Sequence, residues 1–249
     1  MAAAAAATAT AAAATAAATA AAAAAGGAAR GAALAARALD PDNTSILVAG
    51  GGGTALEVAR RLKDMGAWVW MLQRTEAHRG EIEGMMAIVH RGDALDPACL
   101  AQAAADIDDL DAVVSCVGNA EDLSADSQGN VNLIEAAKAA GAQRFVLVSG
   151  SPESPLGEAQ LAAKGEAEDA LRASGVEYTI VRPAGALEDG AADGSGALTE
   201  GAGVGAGSRL RRGEAAALVC RALFSDRAAG KTVTAVAADA LGGQAPFET

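Results

Sequence analysis

The chain has 249 residues. Roughly 200 of them follow a low-complexity N-terminal tract, enough for one α/β domain with a substantial core. Its formal net charge of −12 argues against nonspecific binding to nucleic acid or to an anionic membrane surface. Cys99, Cys116 and Cys220 are odd in number and in no C-x-x-C pattern, and His78 and His90 have no partner at metal spacing. Neither a disulfide framework nor a metal site is therefore expected.

Residues 2–25 are alanine with a few threonines, and no acid precedes Asp40, while Arg30 and Arg37 are present. A tract without acids, hydroxyl-bearing and sparsely basic, reads as an organelle transit peptide over residues 1–40, with plastid favoured over mitochondrion. The other reading is a disordered tail, which would leave the protein cytoplasmic. Alanine and threonine are only marginally apolar, so no membrane span is expected. Asp40-Pro41-Asp42-Asn43 is turn-forming and opens a single domain over residues 41–249.

Ser45–Leu62 reads SILVAGGGGTALEVARRL. Ile46, Leu47 and Val48 form a short run rich in β-branched residues, as in a buried strand. Four glycines follow, and then Leu56, Val58, Ala59 and Leu62 recur at helical spacing. Strand, glycine turn and helix are the context of a dinucleotide site. The turn counts as Gly50-x-Gly52-x-x-Ala55, or as Ala49-x-x-Gly52-x-x-Ala55. Under either count glycine permits a tight turn and a close pyrophosphate, and small Ala55 lets helix pack on strand. Gly50, Gly52, Gly53, Thr54 and Ala55 are thus candidate cofactor residues, with the phosphates at the helix N-terminus. Thr54 either caps that helix or donates to a phosphate.

Met65-Gly66 ends the helix, and Ala67–Leu72 is the second strand. Trp68 and Trp70 within it are read as packing residues. Arg74 stands about 20 residues past the glycines, where a carboxylate would accept from the ribose 2′-hydroxyl of NAD and a cation would pair with the 2′-phosphate of NADP. NADP is therefore favoured, with NAD as the alternative; Glu76 is a competing partner for Arg74. Gly80–Met86 is read as a mobile connection and Ala87–His90 as the third strand. Asp93 either accepts from the adenine amino group or stabilises its own turn. Asp96-Pro97 starts the next helix. Asp111–Val117 is the fourth strand, followed by Gly118, which would let backbone approach the nicotinamide ribose. Val131–Ala140 is a helix closed by Gly141. Arg144–Ser149 is the fifth strand, Glu158–Ala173 a helix, and Val176–Val181 the sixth strand, broken by Arg182-Pro183. Ala184–Ser208 carries eight glycines and is read as a flexible loop or lid. Glu214–Phe224 is a last helix and Thr232–Val236 a final strand.

This alternation predicts an α/β fold: a Rossmann-like, doubly wound parallel sheet with a small variable C-terminal part. The glycines, Arg74, Asp93, Gly118 and Ser149 all follow or end strands, so they would gather at one edge of that sheet.

The stretches ILVAGGGGTALEVARRL, VVSCVGN, NLIEAAKAAGAQRFVLVSG, AKGEAEDAL and GVEYTIVRPAGAL resemble, in that order, the atypical short-chain dehydrogenase/reductase family, in particular its NmrA-like NAD(P)-binding branch with plastid members. The resemblance runs over about residues 45–236. It implies a catalytic serine at Ser149 (or Ser151) and a lysine at Lys164 that binds the nicotinamide ribose. The proton-transferring tyrosine of Tyr-x-x-x-Lys falls on Gln160, and an amide cannot transfer a proton in that way. The only tyrosine, Tyr178, lies in the sixth strand and is read as core. Two functions follow from the resemblance. One is an NADP-dependent reductase that takes its proton from water or substrate. The other is a non-catalytic NADP-binding subunit, redox sensor or assembly factor within an organellar protein complex.

Overall fold

The computed structural model describes residues 39–200, 208–241 and 245–248. The tract read as a transit peptide or tail therefore lies outside the described residues up to residue 38, as do residues 201–207 of the glycine-rich stretch. Among the described residues, strands β1 (Ser45–Ala49), β2 (Trp68–Gln73), β3 (Ile88–Arg91), β4 (Leu110–Ser115), β5 (Arg144–Val148), β6 (Glu177–Pro183), β7 (Ala186–Glu188), β8 (Gly196–Thr199), β9 (Arg209–Arg211) and β10 (Lys231–Ala237) alternate with six α-helices. These are α1 (Gly53–Asp64), α2 (Arg79–Gly84), α3 (Pro97–Ala105), α4 (Asn130–Ala140), α5 (Glu158–Ser174) and α6 (Arg212–Leu223). Eight strands form one sheet in the order β3-β2-β1-β4-β5-β6-β10-β8, all parallel except β8, and β7 pairs with β9 apart from it.

Both faces of the sheet are covered, which explains the continuous apolar strands. Ile46 and Val48 of β1 pack with Val58 and Leu62 of α1 and Leu218 of α6. Leu47 and Ala49 point the other way, into a core with Leu100 of α3, Leu133 of α4 and Leu171 of α5. The strand order reverses between β1 and β4. In open α/β sheets, ligands bind in the crevice outside the carboxyl ends at such a switch point.

Five expectations are corrected. Residues 80–86 are not merely a connection. Arg79–Gly84 is a short helix pinned by fully buried Ile82, with Arg79 bonded to Glu76 at 3.0 Å and to Glu83 at 2.8 Å. Arg182-Pro183 does not break β6, which runs on through Pro183. The Ala184 N–H bonds Ala235 of β10, so the nitrogen of Pro183 faces the β5 side, where β5 has already ended at Val148, and no ladder bond is lost. The span 184–208 is not one loop. It contains β7 and β8, and β8 joins the sheet edge antiparallel to β10 with Leu198 fully buried. Trp68 is not a packing residue. It is 57% exposed, with the Lys63 ammonium 5.6 Å above its ring, while Trp70 is partly buried against the core. Tyr178 likewise is only partly buried at the edge of the same core.

Candidate functional site

The register of β1 with its two neighbours sets Ala49 beside Leu72 and Ser115. The next residues, Gly50, Gln73 and Cys116, therefore converge. Gly50 has φ +134°, and a Cβ there would lie 2.9 Å from the Cys116 carbonyl oxygen, so only glycine fits. Buried Gln73 donates its side-chain N–H to the Gly50 carbonyl at 2.6 Å and fixes the turn. Gly52 is the N-cap of α1 and makes no side-chain cap bond, so Thr54, inside the helix, is not the cap. A Cβ on Gly52 would meet nothing within 4 Å. The first bond across the start of α1 runs from the Leu56 N–H to the Gly52 carbonyl at 3.2 Å. The N–H groups of Gly53, Thr54 and Ala55 therefore have no acceptor within the helix. Ala55 is buried against β1, as helix-on-strand packing requires.

Beside this turn lies a cavity of about 340 Å³, lined by Gly50, Gly51, Gly52, Gln73, Arg74, Asp93, Cys116, Gly118 and Asn119 among others. Gly53, Thr54, Ala55, Ser149 and Lys164 are not in its lining. Arg74 is exposed at the rim. Glu76 is engaged elsewhere, 3.0 Å from Arg79 and 3.1 Å from Arg91, so it does not neutralise Arg74. Asp93 accepts from the Leu95 N–H at 2.9 Å, which is the turn-stabilising role, while the residue also lines the cavity. The Cys116 thiol is pushed up to about 12 by burial, partly offset by the charge of Lys164. It is neutral and poorly nucleophilic at physiological pH.

Gly118 joins the cavity to the residues implied in catalysis. A Cβ there would lie 2.8 Å from Asp126 Oδ1 and 3.0 Å from Lys164 Nζ. Lys164 Nζ is 2.9 Å from Asp126 Oδ1 and donates to the Val117 carbonyl at 3.3 Å. Asp126 is fully buried and accepts from the Asn119 N–H at 2.8 Å and from the Gln160 amide at 3.3 and 3.4 Å. Gln160, in the place of the tyrosine, thus points its amide at a carboxylate. Sequence reasoning missed Asp126, Gln73 and Glu168. Gln73, next to the singled-out Arg74, was the one with a positional signal.

Ser149 follows β5 and faces a different group. Its Oγ and that of Ser151 are buried without a hydrogen bond of ordinary geometry. The Ser149 hydroxyl still lies close enough to Glu168 to favour the charged carboxylate. Glu168 accepts from Arg182 Nε at 2.8 Å, again from Arg182 Nη2, and from Arg172 at 2.8 Å. Burial opposes its charge, but the hydrogen bonds from Arg182, the nearby Ser149 hydroxyl and the charge of Arg182 hold its carboxyl below the ordinary 4.5. The unfolded chain therefore binds the proton first. The contribution of this cluster to stability is full above about pH 4.5 and is lost as pH falls through the lower, folded value. Acid melts of Glu168→Gln should show a weaker decline of stability below pH 4.5 than wild type.

Glycine turn, free helix N–H groups and a cavity at the switch point together define a Rossmann-type dinucleotide-binding protein. The chain belongs to the NAD(P)H-binding family, whose model matches residues 49–226. No match to a curated protein was found. Among solved structures it is similar to a Rossmann-fold NAD(P)-binding family protein from Shigella flexneri, with 27% identity, TM-score 0.64, and 83% of this chain and 99% of that one covered. A candidate NAD-dependent epimerase/dehydratase from Bacillus halodurans gives 24% identity and TM-score 0.68, covering 82% and 96%. An anaerobilin reductase, ChuY from Escherichia coli O157:H7, gives 23% identity and TM-score 0.65, covering 82% and 100%. Among the described residues no helix is long and apolar enough to cross a membrane, and no group of three or more metal-ligating side chains is assembled.

Proposed function

We propose that the protein binds NADP(H) and acts as a reductase of the atypical short-chain dehydrogenase/reductase type without the usual tyrosine acid. The observation that carries this reading is the open direction at Gly52, beside free α1 N–H groups and a cavity with a rim arginine that does not pair with Glu76. In this reading the diphosphate lies at the glycine turn and the 2′-phosphate meets Arg74. Asp93 borders the adenosine end. Gly118 and Lys164 border the nicotinamide ribose. The bound cofactor supplies hydride. Lys164, fixed by Asp126, holds the ribose, and the proton at the acceptor oxygen comes from water or substrate. That a structural neighbour is an anaerobilin reductase supports reductase chemistry on this scaffold by analogy of fold. Residues 1–40 are a plastid transit peptide in this reading, so the mature organellar chain should begin beyond them when its N-terminus is sequenced.

Titration with NADPH and NADH tests it. Arg74→Ala should weaken NADPH by roughly 1–3 kcal/mol, the worth of a charge-assisted contact, and spare NADH. Equal weakening of both cofactors would remove Arg74 from the 2′-phosphate. A second reading is favoured by one observation: Gln160 and Lys164 are both bound to Asp126. It is a non-catalytic NADP-binding subunit, redox sensor or assembly factor in an organellar complex. NADPH oxidation against a panel of carbonyl acceptors separates the two, since the second reading requires binding without turnover.

A further inference from the structure

Arg212, the first residue of α6, belongs to no motif of the nucleotide fold, yet it sits at the glycine turn. A Cβ on Gly53, which opens α1, would lie 3.1 Å from Arg212 Cδ and 3.5 Å from its Nε. The stem of this arginine thus lies along the first residue of the helix whose N–H groups are free. Its position is built rather than accidental. α6 packs along α1 and over β5 and β6. Glu214, two residues further and buried, accepts from the Asp193 and Gly194 N–H groups at 3.0 Å each, and the Gly213 N–H donates to Gly190 at 2.9 Å. These bonds fix the chain around Arg212 to the segment that carries Asp189.

Asp189 is the partner of the Arg212 guanidinium, and its side chain is 96% exposed. An ion pair with so exposed a carboxylate is weak and readily exchanged. A diphosphate offers more charge and several terminal oxygens, two of which the planar guanidinium fork can bind at once. We propose that Arg212 is a diphosphate-binding residue delivered by the C-terminal part of the chain, held by Asp189 until a dinucleotide displaces that carboxylate. The proposal rests on the reading above that a dinucleotide occupies the glycine turn. It assigns Arg212 to the part that NADP and NAD share, as distinct from Arg74 at the 2′-phosphate.

The full-length chain is titrated with NADPH, NADH, ADP-ribose and adenosine 2′-monophosphate, which has no diphosphate. Arg212→Ala should weaken the first three by a common factor of about tenfold or more and leave the fourth unchanged. Asp189→Asn removes the competing carboxylate and should tighten the first three several-fold. Unchanged NADPH and NADH affinities in Arg212→Ala overturn the proposal, as does equal weakening of adenosine 2′-monophosphate, which would mark general damage to the site. If Arg212→Ala does not fold, Asp189→Asn decides, and unchanged or weaker dinucleotide binding there overturns the proposal. A wild-type chain that binds none of the four ligands overturns the function proposed above as well; wild-type binding with an indifferent Arg212→Ala overturns only the role of Arg212.

Discussion

Gly52→Val should weaken NADPH and NADH alike by about a thousandfold or more, roughly 4 kcal/mol, and leave the melting temperature close to wild type. The two halves of that expectation come from one observation. A Cβ on Gly52 meets nothing within 4 Å, so the folded protein has room for a larger residue. The room it takes is beside the first turn of α1, where three N–H groups would each bond a charged phosphate oxygen at roughly 1.5–3 kcal/mol apiece. A branched side chain keeps the phosphate away from all of them at once. Gly50 is the control. It has φ +134°, and a side chain would press on the Cys116 carbonyl, so Gly50→Val should lower thermal stability before any question of ligand arises. Calorimetric melts with binding titrations on both variants give the answer. A Gly52→Val protein that binds dinucleotide normally would falsify the phosphate-turn assignment.

The fold was legible where local pattern and tertiary demand coincide. β1, β4 and β5 read as strands because strands buried on both faces must be apolar throughout, and Ile46–Val48 and Phe145–Val148 are. Gly141 marked a helix end because it takes a left-handed φ there. Legibility failed where the deciding contact is distant in sequence. β8 is a strand because β10 offers its edge, and nothing within Gly196–Thr199 announces that partner. Arg79–Gly84 holds two glycines, poor helix residues, yet the burial of Ile82 fixes it. At the site, a shared sheet edge is a property of topology, so Gly50, Gly52, Arg74, Asp93 and Gly118 could be grouped from strand ends alone. The pairing of Asp126 with Lys164 could not. It joins the turn just before α4 to α5, across all of α4 and β5, and a single aspartate in a polar stretch carries no periodic or motif signal.

That pairing sets the largest stability effect expected in the molecule. Asp126 is fully buried, Lys164 is 10% exposed at the side chain, and their charges are 2.9 Å apart. Asp126→Ala leaves the ammonium with the Val117 carbonyl as its remaining bonded acceptor among the described residues, and orphans the Asn119 N–H and the Gln160 amide. An unpaired buried charge of this kind costs roughly 3–5 kcal/mol. In a chain of this size that lowers the melting temperature by about 6–20 °C. Asp126→Asn keeps an acceptor for the Asn119 N–H but loses the charge, so it should fall between wild type and Asp126→Ala. The double variant Asp126→Leu with Lys164→Met removes both charges, and it should recover most of the lost stability, because the interior then holds no unpaired ion. Recovery of stability without recovery of NADPH binding would mean that the pair is kept to present Lys164 at the Gly118 wall of the cavity. If the double variant melts as low as Asp126→Ala, the cost lies in the orphaned Asn119 and Gln160 groups, and the ion pair is not what holds this corner together.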